Sequence, residues 1–81
     1  MFYTYVLKSQ KDQKLYIGST EDLKDRVERH NRGQSKATRN RRPLKVMGYK
    51  NFKSRSEAVK FEYYLKSLKD PDLVIKKILL D

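Results

Sequence analysis

Phe2-Tyr3-Thr4-Tyr5-Val6-Leu7-Lys8, a polar break at Ser9-Gln10-Lys11-Asp12-Gln13, and then Lys14-Leu15-Tyr16-Ile17-Gly18 form the stretch from which the fold is read. Aromatic, Val and Thr side chains favour strands because they pack well on a pleated, half-buried surface. A connection this short cannot carry a crossover, so the two strands run antiparallel as a hairpin. Gly18 closes the second strand and permits a close backbone approach there.

Outward from the hairpin, Ser19 or Thr20 is placed to cap a helix, with Glu21 and Asp22 favourable in its first turn. That helix is expected to run to about Asn31, to turn Leu23 and Val27 to the core, and to stop at Gly33. Gln34–Arg42 reads as a basic polar loop, mobile in the free protein. Pro43–Phe52 reads as a third strand, with Gly48 marking a bulge. Ser54 or Ser56 caps a second helix extending to about Lys69, with Ala58, Phe61, Leu65 and Leu68 as its apolar stripe. Asp70-Pro71 ends it and starts a last helix, Asp70 as cap and Pro71 at the first position. Leu73, Val74, Ile75, Ile78, Leu79 and Leu80 are more apolar than one exposed helix needs, so this helix is expected to pack on the domain or to meet a partner. The order ββαβαα specifies an α+β fold, a three-stranded antiparallel sheet flanked by helices, with residues 1–81 as one domain.

The chain carries a net charge of +10. Ten Lys or Arg and no acid lie between Arg29 and Arg55, while the rest of the chain balances ten against ten. The excess therefore sits in one central segment, the footprint expected for a polyanion, with nucleic acid leading. A basic amphipathic membrane helix is disfavoured, because Gly33, Pro43 and Gly48 punctuate the segment. No apolar run approaches the ~20 residues of a membrane span. The absence of cysteine excludes disulfides and Cys-based zinc sites and is compatible with a cytoplasmic setting.

Five side chains carry candidate chemistry: Tyr5, Tyr16, Arg26, His30 and Glu62. Each has an ordinary explanation when taken alone. Tyrosines pack on strands, a helical Arg is solvated or pairs with Glu21, Asp22 or Asp25, and a lone helix His is most often structural. Together their spacing is telling. Tyr5 and Tyr16 are eleven residues apart, and Arg26 and His30 share one helix face at i, i+4. Glu62 interrupts an apolar stripe. A covered carboxylate needs a cation, a metal or a hydrogen-bond donor, and a salt bridge to a basic neighbour would also satisfy it. Glu57 is the competing acid, but it falls in the first helical turn.

The pattern resembles the GIY-YIG nuclease family, and the resemblance spans nearly the whole chain. Thr4-Tyr5-Val6 stands where the family writes GIY, and Tyr16-Ile17-Gly18 is the YIG itself. His30-Asn31-Arg32-Gly33, Ser35–Arg39, Arg41–Leu44 and Ser56-Glu57-Ala58 followed by Phe61-Glu62 resemble the small stand-alone bacterial members. The resemblance implies a metal-dependent DNA endonuclease of repair or DNA processing. Tyr16 would be the base or water-orienting residue and Tyr5 its partner. A phenol with a reference pKa of roughly 10 is a poor base without help. Arg26 would bind the scissile phosphate, its fork matching the oxygens. His30 would assist proton transfer or positioning. Glu62 would be the sole carboxylate ligand of Mg²⁺, replaceable by Mn²⁺. Lys36, Thr38, Arg39, Arg41 and Arg42 would face DNA, single-stranded or branched among the options, as a monomer or a homodimer. The chain departs from the family at Ser19, where repair nucleases often carry Lys, at Phe61, where Arg is expected, and in lacking a clear Asn after Glu62. A nucleic-acid-binding module with weak or lost activity, or a subunit that depends on a partner, is the competing expectation.

Overall fold

In the computed structural model, which describes residues 1–80, β1 spans Phe2–Ser9, β2 Leu15–Thr20, α1 Leu23–Asn31, β3 Leu44–Phe52, α2 Arg55–Ser67 and α3 Pro71–Leu79. The expected ββαβαα order and the three-stranded antiparallel sheet are both present. The strand order is β2-β1-β3, antiparallel on both sides. β1 is central for a reason visible in its residues: Thr4, Tyr5, Val6 and Leu7 are all fully buried. Successive side chains point to opposite faces, so a strand with no exposed position must be covered on both.

Each face has its own core. Tyr5, Leu7 and Leu44 pack with Tyr16 and with Leu23 and Val27 of α1. Val6 packs on the other face with Leu65 of α2 and with Val74 and Ile78 of α3. Thr4 ties that second face down by donating its hydroxyl to the Ala58 carbonyl at 2.6 Å. Of the apolar surplus in α3, Val74 and Ile78 are buried, whereas Leu79 and Leu80 face outward. Among the described residues no helix is long and apolar enough to cross a membrane.

The helix starts show where short-range reasoning stops. Ser54 and Asp70 cap α2 and α3, accepting from the amides of Glu57 and Asp72. At α1 the expected caps Ser19 and Thr20 are instead the end of β2, paired with Thr4 and Tyr3. The cap is Asp22, which accepts from the Asp25 amide at 3.0 Å. Thr20 turns the chain between strand and helix by accepting from the Asp22 amide.

At the far end of α1, Gly33 has φ +82°. Its amide bonds to the His30 carbonyl and the next amide, Gln34, to the Arg29 carbonyl. This is the paired closure that favours glycine after a helix. α2 stops at Ser67 rather than Lys69, because Lys69 adopts a left-handed φ of +59° ahead of the next cap. The bulge falls on β3 beside Gly48, where Met47 is the extra residue between the partners of Val6 and Leu7.

The segment 34–42, expected to be mobile, is instead pinned at several points. A 3-10 turn covers Arg39–Arg41. Ser9 donates its hydroxyl to the Arg41 carbonyl at 2.6 Å, and the Arg41 guanidinium pairs with Asp12 at 3.0 Å. Asn31 clamps the end of α1 to the start of β3, bonding both the amide and the carbonyl of Leu44. These ties fix the position of His30, which lies one residue before the clamp.

Candidate active site

The hairpin and α1 bring three rings together. Leu7 pairs with Tyr16 and Tyr5 with Gly18, which puts both tyrosines on the α1 face of the sheet. Tyr5 lies across Gly18: a Cβ on Gly18 would sit 2.6 Å from the Tyr5 hydroxyl and 2.8 Å from Cζ. The glycine is needed because a phenol crosses the strand there. The Tyr5 hydroxyl reaches His30 Nε2 at 3.2 Å, and His30 Nδ1 reaches the Thr38 hydroxyl at 2.7 Å. The Tyr16 ring packs against the His30 ring, with centroids 4.8 Å apart. Tyr16, Arg26 and His30 then line one cleft with Arg29, Gln34 and Ser35.

Burial sets the protonation states. Tyr5 is fully buried, which pushes its phenol up to about 12, with Tyr16 adding to the rise and Arg26 opposing it. Tyr5 therefore keeps its proton at physiological pH. His30 is also buried, and burial followed by the Arg26 charge lowers its pKa. A neutral imidazole has one donor and one acceptor nitrogen. One of its two bonds, to Tyr5 or Thr38, is donated by the ring and the other accepted.

Glu62 approaches from the other face. Ser19 pairs with Thr4, whose side chain points to α2, so Ser19 shares that face. Ser19 donates to Glu62 Oε1 at 2.8 Å, and Lys66 donates to Oε2 at 2.7 Å. Glu62 therefore does not line the cleft with Tyr16, Arg26 and His30; it is held beside the edge strand β2 by Ser19, and its charge is felt at the Tyr5 phenol. Among the described residues no three His, Asp or Glu side chains gather. A lone carboxylate suits a hard ion that keeps waters and takes phosphate oxygens, such as Mg²⁺, and does not suit a dedicated protein cage.

The residues expected to face DNA divide. Lys36, Arg39 and Arg42 are exposed. Thr38 is not: it is fully buried and its hydroxyl is committed to His30, so its place is behind the site and not on the DNA-facing surface. Arg41 is mostly withdrawn too, spending its guanidinium on Asp12 and on the Leu15 carbonyl. Two contributors were not read as site residues from the sequence, Ser19 and Lys66. Lys66 follows Glu62 by one helical turn, a spacing that pairs side chains, but the same spacing is common on solvated helices.

This arrangement has counterparts. The family model for the GIY-YIG catalytic domain matches residues 1–77. The chain belongs to the GIY-YIG nuclease family. A UPF0213 protein of Clostridium perfringens is 44% identical over 69 residues, covering 84% of this chain and 73% of the relative. A UPF0213 protein of Pediococcus acidilactici is 47% identical over 68 residues, covering 80% and 68%. The solution NMR structure of the UPF0213 protein BH0048 of Bacillus halodurans superposes with a TM-score of 0.55 at 34% identity, covering 89% of this chain and 78% of that one. In this GIY-YIG domain the two motif tyrosines come from paired strands, and the motif glycine is the residue that lets one of them reach the histidine.

Two expected results arise here. Gly18→Ala forces the Tyr5 hydroxyl off His30, and overpacking of this kind costs about 1–3 kcal/mol. In a domain of this size each kcal/mol lowers the melting temperature by about 4–8 °C, so calorimetry on purified Gly18→Ala reads it directly. The second concerns pH. Because the folded-state pKa of His30 is lowered, the unfolded chain binds the extra proton first as pH falls below about 6.5. Stability is thus full above that pH, declines by at most about 1.4 kcal/mol per pH unit below it, and levels off beneath the folded-state value. Melting curves from pH 7.5 to 4.5, compared with His30→Asn, isolate this component, and NMR titration of the only histidine checks the direction.

Proposed function

We propose that this domain is a metal-dependent endonuclease that hydrolyses phosphodiester bonds in DNA, acting in DNA repair or processing in the cytoplasm. The observation carrying this reading is the convergence of Tyr5, Tyr16 and His30 at a cleft bordered by Arg26, with Glu62 at the same strand edge. The charge of the segment from Arg29 to Arg55 supplies the affinity for the DNA backbone.

In this reading Tyr16, partly exposed at the cleft, first releases its own phenol proton to solvent, then as phenolate takes the proton of the attacking water and aligns that water with the phosphorus. Tyr5 and His30 hold the Tyr16 ring in place from behind, and Thr38 fixes the orientation of His30. Arg26 binds a non-bridging phosphate oxygen and offsets charge as the bond to water forms. The bond from phosphorus to the 3′ oxygen breaks, the 3′ oxygen takes a proton from solvent, and a 5′-phosphate and a 3′-hydroxyl result. Glu62 would hold the divalent ion, Mg²⁺ or Mn²⁺, which when bound neutralises phosphate charge and acidifies water.

The test is cleavage of labelled single-stranded, duplex, flap and branched DNA with Mg²⁺, with Mn²⁺ and with EDTA. Cutting that needs the ion, is lost in Tyr16→Phe and leaves 5′-phosphate ends is the expected result. DNA binding without cutting on any substrate would overturn it in favour of a binding module.

A further inference from the structure

Glu62 has both oxygens engaged, and one of its partners is a cation. Oε1 takes the Ser19 hydroxyl at 2.8 Å, and Oε2 takes the Lys66 ammonium at 2.7 Å. Helical pairs at i, i+4 are common, and on α1 this chain has two others, Arg29 with Asp25 and Arg32 with Glu28. In both of those pairs each side chain is at least 42% exposed. The Glu62 side chain is only 14% exposed while Lys66 is 50% exposed. The carboxylate is thus held in place by Ser19 and covered, and the ammonium is the open, movable end of the pair. Lys66 is also within electrostatic reach of Tyr16, the residue on the cleft side.

Two positive charges cannot both take Oε2 at contact distance. An ammonium on a four-carbon stem can exchange partners where a fixed group cannot. Resting on the nuclease reading above, we infer that Lys66 is a further catalytic residue, which occupies Glu62 in the free protein and moves to the scissile phosphate when the divalent ion and DNA bind. Its charge is then used twice, first to neutralise the covered carboxylate and then to bind the phosphate. The consequence is coupling. DNA supplies the new partner for Lys66, so DNA strengthens ion binding at Glu62, and by reciprocity the ion strengthens DNA binding. Ser19 suits this exchange, because a hydroxyl holds the carboxylate without competing for its charge.

The experiment titrates Mn²⁺ by calorimetry into the protein alone and into its complex with a single-stranded oligonucleotide, in a Tyr16→Phe background that does not cut. Lys66→Met keeps the apolar stem and removes the charge. Its expected effect is about tenfold tighter Mn²⁺ binding in the absence of DNA and a loss of most of the enhancement that DNA gives. With Tyr16 restored, Lys66→Met is expected to cleave about 10²-fold more slowly despite the tighter ion, and Lys66→Arg to recover part of the rate. Unchanged or weaker Mn²⁺ binding in Lys66→Met, with binding still abolished by Glu62→Gln, would overturn this inference and leave the nuclease reading intact. Tighter binding with unimpaired cleavage would overturn the transfer to phosphate. If Mn²⁺ binding is indifferent to Glu62→Gln, the ion does not sit at Glu62, and the inference falls together with that part of the nuclease reading.

Discussion

Glu62→Gln is expected to lower ion-dependent DNA cleavage by about 10³-fold or more while leaving the domain folded. The size follows from the several kcal/mol that an ion contributes to phosphate charge stabilisation, at tenfold per ~1.36 kcal/mol. Glutamine keeps the shape of the side chain and an acceptor for the Ser19 hydroxyl. What it removes is the negative charge that Lys66 pairs with and that an ion would need. The Lys66 ammonium is half exposed, so the lost ion pair costs about 1 kcal/mol or less. The decisive comparison sets single-turnover cleavage beside a thermal melt and DNA binding. Cleavage falls, while the melting temperature shifts by a few degrees and DNA binding measured without the ion stays near the wild-type value. A variant that cut DNA at the parental rate would remove Glu62 from the chemistry.

Arg26→Ala is expected to reduce the cleavage rate constant by about 10²–10³-fold, the usual cost of deleting one preorganised donor to a developing negative charge. Arg26 lies in the same cleft as Tyr16 and His30, and its charge is felt at both His30 and Tyr5. Affinity for DNA should change little, since one contact is lost from a chain that carries ten cations between Arg29 and Arg55, most of them exposed. Lysine at this position should restore only part of the rate, because a point charge does not reproduce a two-pronged fork. There is a second, independent readout. Without the Arg26 charge, one cause of the lowered His30 pKa is gone, so the histidine should titrate at higher pH than in the parent. A rate defect without that NMR shift would place Arg26 away from the imidazole and contradict the geometry of the cleft.

Much of this protein is determined by short-range pattern. The hairpin follows from two β-rich runs across five polar residues, and the helix breaks from Gly33 and Asp70-Pro71. The pairing of Arg26 with His30 follows from a four-residue step, and the GIY-YIG spacing of the tyrosines from eleven. These features rest on backbone preference and periodicity, which neighbours in sequence decide. What only the tertiary structure decided is the partner of each polar group. Asp22 caps α1 because Ser19 and Thr20 are already strand residues paired with Thr4 and Tyr3. Thr38 turns inward because His30 needs a partner for Nδ1, and Arg41 is withdrawn by Asp12 in the turn of the hairpin. Glu62 meets Ser19 across 43 residues of sequence. A buried polar group must be satisfied by whatever the fold brings within about 3 Å, and local propensity carries no information about which distant residue that will be.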